Sequence, residues 1–241
     1  MSRRFEELAW HDTPIGEISL RRRTEPTLGV DVYEIKLGDE WLMSSLFTAA
    51  ETELAHLALG RLTGERLDVV VGGLGLGFTA RAALCDERVR SLVVVEAVPE
   101  VIQWHRDHLL PGAEELVDDP RTELVHGDFF ATAGGEGPWR PGGDARPVDA
   151  VLVDIDHTPG HVLHPSHAAF YTEDGLAALR RRLHPDGVFG LWSDAPPDPG
   201  FLTLLRNVFG GADGHVVTFP NHYTGSTSSG TVYVAATPSD R

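Results

Sequence analysis

The sequence predicts an α/β fold with a doubly wound, mostly parallel sheet, and three observations support this prediction. Residues 67–71 contain three consecutive valines, a β-branched run that is typical of a buried parallel strand. The glycine-rich segment 72–77 follows and leads into a helical stretch, Phe78–Leu84. A second apolar strand ends at Glu96, about 20 residues later, which is the spacing of a nucleotide site.

The N-terminal part predicts a small β element of its own. Residues 15–22 and 30–37 alternate apolar and polar side chains, and Gly38-Asp39 marks a turn. Residues 45–62 then show helical spacing, which Thr63-Gly64 ends. We therefore expect two parts, a small β element over 1–44 and the main domain over 45–241.

The main domain alternates strands and helices, as a parallel sheet with helices on both faces requires. A Gly/Pro-rich segment at 134–147 is expected to be a mobile surface loop. The last strands should form an antiparallel hairpin with a long polar loop over 221–230. The predicted strands are 68–72, 91–96, 122–126, 150–154, 188–192, 215–219 and 231–236, and the predicted helices are 78–84, 99–109, 172–183 and 201–209.

Composition excludes several classes of function. A net charge of −16 over 241 residues opposes nucleic-acid binding, and the arginine runs 21–23 and 180–182 are expected to be solvated. Cys85 is the only cysteine, so no internal disulfide or cysteine-built zinc site is possible. No apolar segment reaches about 18 residues, and residues 1–7 lack the apolar core of a signal peptide. We expect a cytoplasmic protein with no membrane partner.

The glycine turn and Glu96 together indicate a site for an adenosine-containing cofactor, because a carboxylate at this position can bind a ribose diol. The turn alone is ambiguous. Residues 75–80 also fit the dinucleotide pattern G-x-G-x-x-A, and the glycines could form a plain strand–turn–helix corner.

Polar side chains follow the other predicted strands at the edge where open α/β sheets bind ligands. They form the clusters His126-Gly127-Asp128-Phe129, Asp154-Ile155-Asp156-His157 and Trp192-Ser193-Asp194. Asp128, Asp154 and the turn Pro185-Asp186-Gly187 have no role in a nicotinamide dehydrogenase, which disfavours that alternative.

This set of motifs resembles the class I S-adenosylmethionine-dependent transferases, and more closely their spermidine synthase-like branch. The resemblance implies a Rossmann-like, seven-stranded sheet with a C-terminal antiparallel hairpin, so that 45–241 would be the transferase domain. It covers about residues 42–236. The segments that carry it are 71–77, 94–102, 125–128, 149–154, 170–171, 183–187 and 220–225.

The resemblance also implies roles for matching positions. Backbone at Gly72, Gly73, Gly75 and Gly77 would lie against the methionine and ribose portion of the cofactor. Glu96, followed by Ala97, would accept hydrogen bonds from both ribose hydroxyls. Asp128 would accept from the adenine amino group, with Phe129 beside the ring. Asp154 matches the acidic residue that the synthases place beside the attacking amine.

Three departures from the synthases lead to the functional prediction. The acidic residue that engages the aminopropyl amine inside their glycine turn is replaced by Gly75, and a tyrosine of their polyamine channel by Ala50. A second acid after Asp154 aligns near His157, although Asp156 is adjacent. We therefore expect S-adenosylmethionine itself as the cofactor, and methyl transfer to a small molecule, favouring an aromatic or heterocyclic acceptor. The alternatives are a polyamine aminopropyltransferase and a non-catalytic nucleoside-binding protein.

The histidines after the fourth strand of the main domain have three interpretations: a metal site, loop capping on the surface, or contact with the acceptor. Prolines and glycines in this segment disfavour metal, so no metal is predicted. The expected catalytic residues are Asp154, Asp156 and His157, with the histidine suiting an aromatic acceptor and the aspartate an amine. The expected substrate-binding residues are His161, Trp192, His222 and Tyr223. We include a homodimer among the expectations.

Overall fold

The computed structural model describes residues 5–236, and its first part is a four-stranded antiparallel sheet. The strands are β1 (Phe5–Thr13), β2 (Gly16–Glu25), β3 (Val30–Leu37) and β4 (Glu40–Ser44), in that order across the sheet. The sequence predicted β2 and β3 and missed the two outer strands. Residues 1–4, on which the signal-peptide expectation partly rests, lie outside the described range. The division of the chain after residue 44 stays a prediction.

The second part is a seven-stranded sheet, which confirms the predicted α/β fold. Its central strands pair in parallel, and the C-terminal hairpin adds the antiparallel edge. The strand order is β10-β11-β9-β8-β5-β6-β7. The strands are β5 (Leu67–Gly72), β6 (Val89–Glu96), β7 (Thr122–His126), β8 (Val148–Val153), β9 (Leu183–Ser193), β10 (Gly211–Asn221) and β11 (Ser226–Ala236).

Helices cover both faces of this sheet. Leu54, Ala83 and Leu116 are buried on one face, whereas Phe129 and Leu205 are buried on the other. Helices on both faces explain why the central strands are apolar without alternation. The helices are α1 (Ala49–Leu59), α2 (Phe78–Leu84), α3 (Pro99–Arg106), α4 (Ala113–Val117), α5 (Phe129–Gly134), α6 (Glu173–Arg180) and α7 (Pro199–Phe209), with a 3₁₀ turn at Pro165–Ala169.

The C-terminal hairpin is longer than predicted. β10 and β11 stay in register from Gly211 opposite Ala236 to Asn221 opposite Ser226, so the connection is only residues 222–225. The expected polar loop is therefore mostly strand. Serine and threonine make up most of the exposed part of β11. Pairing with the neighbouring strand forms a strand there, although the local sequence predicts one only weakly.

The Gly/Pro-rich segment at 134–147 is anchored, contrary to expectation. Trp139 is buried against the ring of Phe129. Arg182, only 8% exposed, donates to the carbonyl oxygens of Thr132, Gly135 and Gly137 and stacks on Trp139. The expectation that the whole arginine run 180–182 is solvated is therefore wrong for Arg182, and burial lowers the pKa of its guanidinium.

Within residues 5–236, no helix combines the length and the apolar character needed to cross a bilayer.

Candidate active site

The predicted site residues lie at the carboxyl edge of the parallel strands. Gly72 pairs with Val95 and with Val153, and Glu96 pairs with His126. The ends of β5, β6, β7 and β8 therefore meet at one edge of the sheet, where open α/β folds bind ligands.

The glycine turn connects β5 to α2 with a backbone that requires glycine. Gly73 has a φ of +91°, and a Cβ there would lie 2.2 Å from the carbonyl oxygen of Asp154. Only glycine permits this approach, because a Cβ would clash with a backbone carbonyl, and moving the two backbone segments apart costs energy. The turn is thus held directly against the end of β8.

The sulfur of Met43 covers the turn from β4. Its Sδ lies 3.0 Å from the backbone nitrogen of Leu76, which donates to it. Gly75 has a φ of +46°, and a Cβ added there would lie only 2.7 Å from this sulfur. The small N-terminal sheet therefore packs onto the turn at the position where the synthases carry an acid.

His105 supports the turn from α3. Its Nε2 lies 2.9 Å from the carbonyl oxygen of Gly75, and the ring is 1% exposed. Burial lowers the pKa of His105 to about 4, so the imidazole is neutral and its Nε2–H donates to Gly75. Sequence analysis missed this residue, although it lies on the buried face of α3 with Val101 and Ile102.

Both carboxylate oxygens of Glu96 accept hydrogen bonds from backbone nitrogens. Its Oε2 accepts from the nitrogen of Leu74 at 2.9 Å, and its Oε1 accepts from Val98 at 2.9 Å. Burial raises the pKa of Glu96, while backbone N–H groups, including that of Ala97, oppose the shift. The carboxylate is therefore fixed beside the glycine turn, where the sequence predicted it.

Asp128 and Phe129 begin α5. Asp128 is the N-cap, and its Oδ1 accepts from the nitrogen of Ala131 at 3.0 Å. Phe129 is 2% exposed, and its ring lies against Gly72 from the core side. Its place beside an adenine stays a prediction; its observed contact is with the strand end that carries the turn.

Asp154 follows β8 and bonds to α2. Its backbone nitrogen donates to the carbonyl of Gly72 at 2.9 Å, and its Oδ2 accepts from the hydroxyl of Thr79 at 2.7 Å. Burial raises the pKa of Asp154 to about 6, and the hydrogen bond from Thr79 works in the opposite direction. A carboxylate with a raised pKa can hold a proton near neutral pH.

Glu51 is a candidate residue that sequence analysis missed. It lies in the first turn of α1, is 7% exposed, and its backbone carbonyl is 3.2 Å from the hydroxyl of Thr79. Burial, followed by the charge of Asp154, raises the pKa of Glu51 to about 8. The signal was present in the sequence: residues 54, 55 and 58 of the apolar face follow Glu51 by 3, 4 and 7 positions, which places a carboxylate on the buried face.

Asp156 lies in the segment after β8 and is held there by hydrogen bonds. It is 1% exposed and accepts three hydrogen bonds, from Leu163 N, His167 Nδ1 and Tyr171 Oη. Burial of the phenol, followed by the charge of this carboxylate, raises the pKa of Tyr171. Through these bonds Asp156 holds the segment after β8 in place, and its catalytic role stays a prediction.

His157 and His161 lie on the same segment, with ring centroids 5.2 Å apart. Nδ1 of His157 is 3.7 Å from Oδ2 of Asp194, and the carbonyl of His157 accepts from the nitrogen of Asp194. His157 therefore joins the segments after β8 and β9, and its role as a base stays a prediction. Among residues 5–236, no three histidine, cysteine or acidic side chains are grouped as metal ligands.

The structure places the predicted substrate-binding aromatics in different surroundings. Trp192 is partly buried, and its Nε1 has no hydrogen-bond partner within the described residues. Tyr223 is 54% exposed, contacts the ring of Phe47 edge-on and accepts from Arg23. His222 lines an open groove of about 710 Å³ between the start of α1 and β10. Contact of these side chains with an acceptor stays a prediction.

No family profile matches the chain. Polyamine aminopropyltransferase 2 of Pseudomonas aeruginosa is 29% identical over 167 residues, which is 65% of this chain and 44% of that protein. The polyamine aminopropyltransferase of Prochlorococcus marinus is 29% identical over 176 residues, covering 70% and 57%. The chain thus spans about half the length of these curated relatives.

Two solved structures have the same fold. Spermidine synthase from Thermotoga maritima superposes with a TM-score of 0.74 at 20% identity, covering 97% of this chain and 74% of that one. Spermidine synthase in complex with the transition-state analogue AdoDATO gives 0.75 at 20% identity, with the same coverage. The resemblance to the spermidine synthase-like branch is confirmed.

The comparisons correct the functional prediction. The relatives are named for aminopropyl transfer, and one structural neighbour binds an analogue of that reaction's transition state. Our prediction of methyl transfer is therefore wrong, and so is S-adenosylmethionine itself as the cofactor. The transferase class is supported. The error came from interpreting three altered positions, Gly75, Ala50 and His157, as the loss of amine binding.

Proposed function

We propose that this chain transfers an aminopropyl group from decarboxylated S-adenosylmethionine to a small-molecule amine. The observation that carries the proposal is Asp154, a partly buried carboxylate held beside the glycine turn by Thr79. The aminopropyltransferase relatives and the two similar folds support the same reaction. Putrescine is the acceptor that we would test first. A homodimer and a cytoplasmic location stay predictions.

Different residues at the carboxyl edge of the sheet would bind different parts of the donor. Glu96, fixed beside Leu74, would accept hydrogen bonds from the ribose hydroxyls, since one carboxylate can accept several. Asp128 keeps one oxygen beyond its N-cap bond for the adenine amino group. The glycines allow the donor to approach the backbone closely. This arrangement aligns the donor, and alignment can lower the barrier by ~7–11 kcal/mol.

Asp154 would handle the proton of the reaction. The neutral acceptor amine attacks the aminopropyl carbon bound to sulfur, so that a C–N bond forms as the C–S bond breaks. The sulfonium leaves as the neutral thioether methylthioadenosine. The new ammonium nitrogen then gives a proton to Asp154, whose pKa of about 6 suits release to water.

The test is an assay of the purified chain with decarboxylated S-adenosylmethionine and putrescine, with mass spectrometry of spermidine and methylthioadenosine. We expect both products in equal amounts. Asp154→Asn should lower turnover by ~10²–10⁴-fold. Asp213→Asn, at an exposed site on β10, should not. Nucleoside binding without product would contradict the proposal and favour the non-catalytic alternative.

A further inference from the structure

At Gly75, the side chain of Met43 stands where the synthases carry a carboxylate in the glycine turn. Met43 Sδ occupies the region that a side chain at Gly75 would enter, and Leu76 donates to that sulfur. An amine-bearing donor would therefore reach this part of the site without an acid from the turn. A protonated amine buried without a counter-charge is costly, so another carboxylate is needed.

Glu51 supplies a carboxylate from α1. The residue is 7% exposed, and within residues 5–236 the only hydrogen bond that its carboxylate accepts comes from its own backbone. The charge of Asp154 acts on Glu51, and the hydroxyl of Thr79 lies 3.2 Å from the backbone carbonyl of Glu51 and 2.7 Å from the carboxylate of Asp154. An isolated buried carboxylate beside a second one lacks a partner of positive charge.

We propose that Glu51, together with Asp154, binds the ammonium of the donor's aminopropyl group and selects the decarboxylated donor over S-adenosylmethionine. Repulsion between two ionised carboxylates disfavours the loss of the last proton from the free pair, and an ammonium between them would offset that repulsion. The α-carboxylate of S-adenosylmethionine would add a third negative charge at the same place and be repelled. This inference rests on the proposed function, and it assigns the amine subsite of that function to α1.

The protonation of the pair provides an independent readout. Burial and the charge of Asp154 raise the pKa of Glu51 to about 8, while burial raises that of Asp154 to about 6, so the free pair holds a proton near pH 7. A bound ammonium favours the ionised form of both acids. Donor binding should therefore release a proton, which calorimetry detects as a binding enthalpy that varies with the ionisation enthalpy of the buffer.

The experiment titrates the wild-type chain and Glu51→Gln with methylthioadenosine, decarboxylated S-adenosylmethionine and S-adenosylmethionine. We expect Glu51→Gln to weaken the decarboxylated donor about tenfold or more, as for one lost charge-assisted contact. Methylthioadenosine, which has no amine, should bind as before. The preference for the decarboxylated donor and the proton release should both diminish.

Two further variants control for folding and position. Glu53→Gln changes a half-exposed residue of the same helix and should behave as wild type. Glu51→Asp keeps the charge and should retain part of the preference. If Glu51→Gln retains the donor preference and the proton release, or changes only the Michaelis constant of the acceptor, the inference is overturned.

Failure of the inference can be distinguished from failure of the proposed function. If the wild-type chain forms spermidine and Glu51→Gln keeps the wild-type donor preference, only the role of Glu51 is refuted. A wild-type chain that binds none of the three nucleosides refutes both.

Discussion

The hydroxyl of Thr79 donates a hydrogen bond to the carboxylate of Asp154, with 2.7 Å between Oγ1 and Oδ2. This bond joins the first turn of α2 to the end of β8, so the helix after the glycine turn orients the acid that follows the fourth parallel strand. It also favours the ionised form of Asp154, because a donor stabilises the carboxylate more than the neutral acid.

We predict that Thr79→Val raises the pKa of Asp154 and lowers turnover. If the ionised carboxylate accepts the proton, the ascending limb of the pH–rate profile should move to higher pH. Thr79→Ser keeps the hydroxyl and should stay near the wild-type profile. An unshifted limb in Thr79→Val would show that this hydrogen bond does not tune the catalytic group.

A second prediction concerns the pH dependence of stability. The folded-state pKa of Glu51 is raised from 4.5 to about 8, so the folded chain holds a proton that the unfolded chain has released. Its contribution to stability is present below about pH 4.5 and is lost as the pH rises toward 8. Glu51→Gln has no such group and should gain stability relative to wild type over this window, by at most ~1.4 kcal/mol per pH unit.

Urea unfolding at pH 5 and pH 8 measures this difference. The comparison with wild type cancels the opposite effect of His105, whose lowered pKa costs stability as the pH falls below 6.5. Glu53→Gln should give a difference that does not change with pH. Parallel curves for Glu51→Gln and wild type would mean that Glu51 is ionised in the folded chain.

A third prediction concerns the segment at 134–147. Arg182 is the donor for three of the carbonyls around this segment, and leaving a buried acceptor unpaired costs ~1–3 kcal/mol. Arg182→Ala should therefore lower the free energy of unfolding by a few kcal/mol and expose the segment to protease. Arg182→Lys should restore only part, since an ammonium lacks the planar fork that stacks on Trp139.

The matched control is Arg181→Ala, because Arg181 is the exposed neighbour in the same run. Chemical denaturation and limited proteolysis of the three variants would check the prediction. Equal stability of the Arg181 and Arg182 variants would contradict the anchoring role.

Much of the fold follows from local patterns. The bounds of α2 and β7 agree with the prediction, since a β-branched run, a glycine turn and helical spacing act over short distances. Glu96 ends β6 and Asp154 follows β8 for the same reason: the end of a strand places its side chains at the edge of the sheet.

Other features depend on contacts between distant residues. The two outer strands of the N-terminal sheet and the extra length of the hairpin arise from pairing with a neighbouring strand, which local propensity does not report. Arg182 looked like a solvated charge, and only the carbonyls of a distant segment explain its burial.

The sequence by itself determined the sheet, the glycine turn and the edge at which the acids lie, because periodicity and turn chemistry act within about ten residues. The tertiary structure decided what surrounds that turn. It placed Met43 over Gly75 and buried Glu51 within reach of the charge of Asp154, across 32 and 103 positions of the chain. The charge at such a site depends on which side chains meet in space, so a single missing acid in a motif could not show whether an amine binds there.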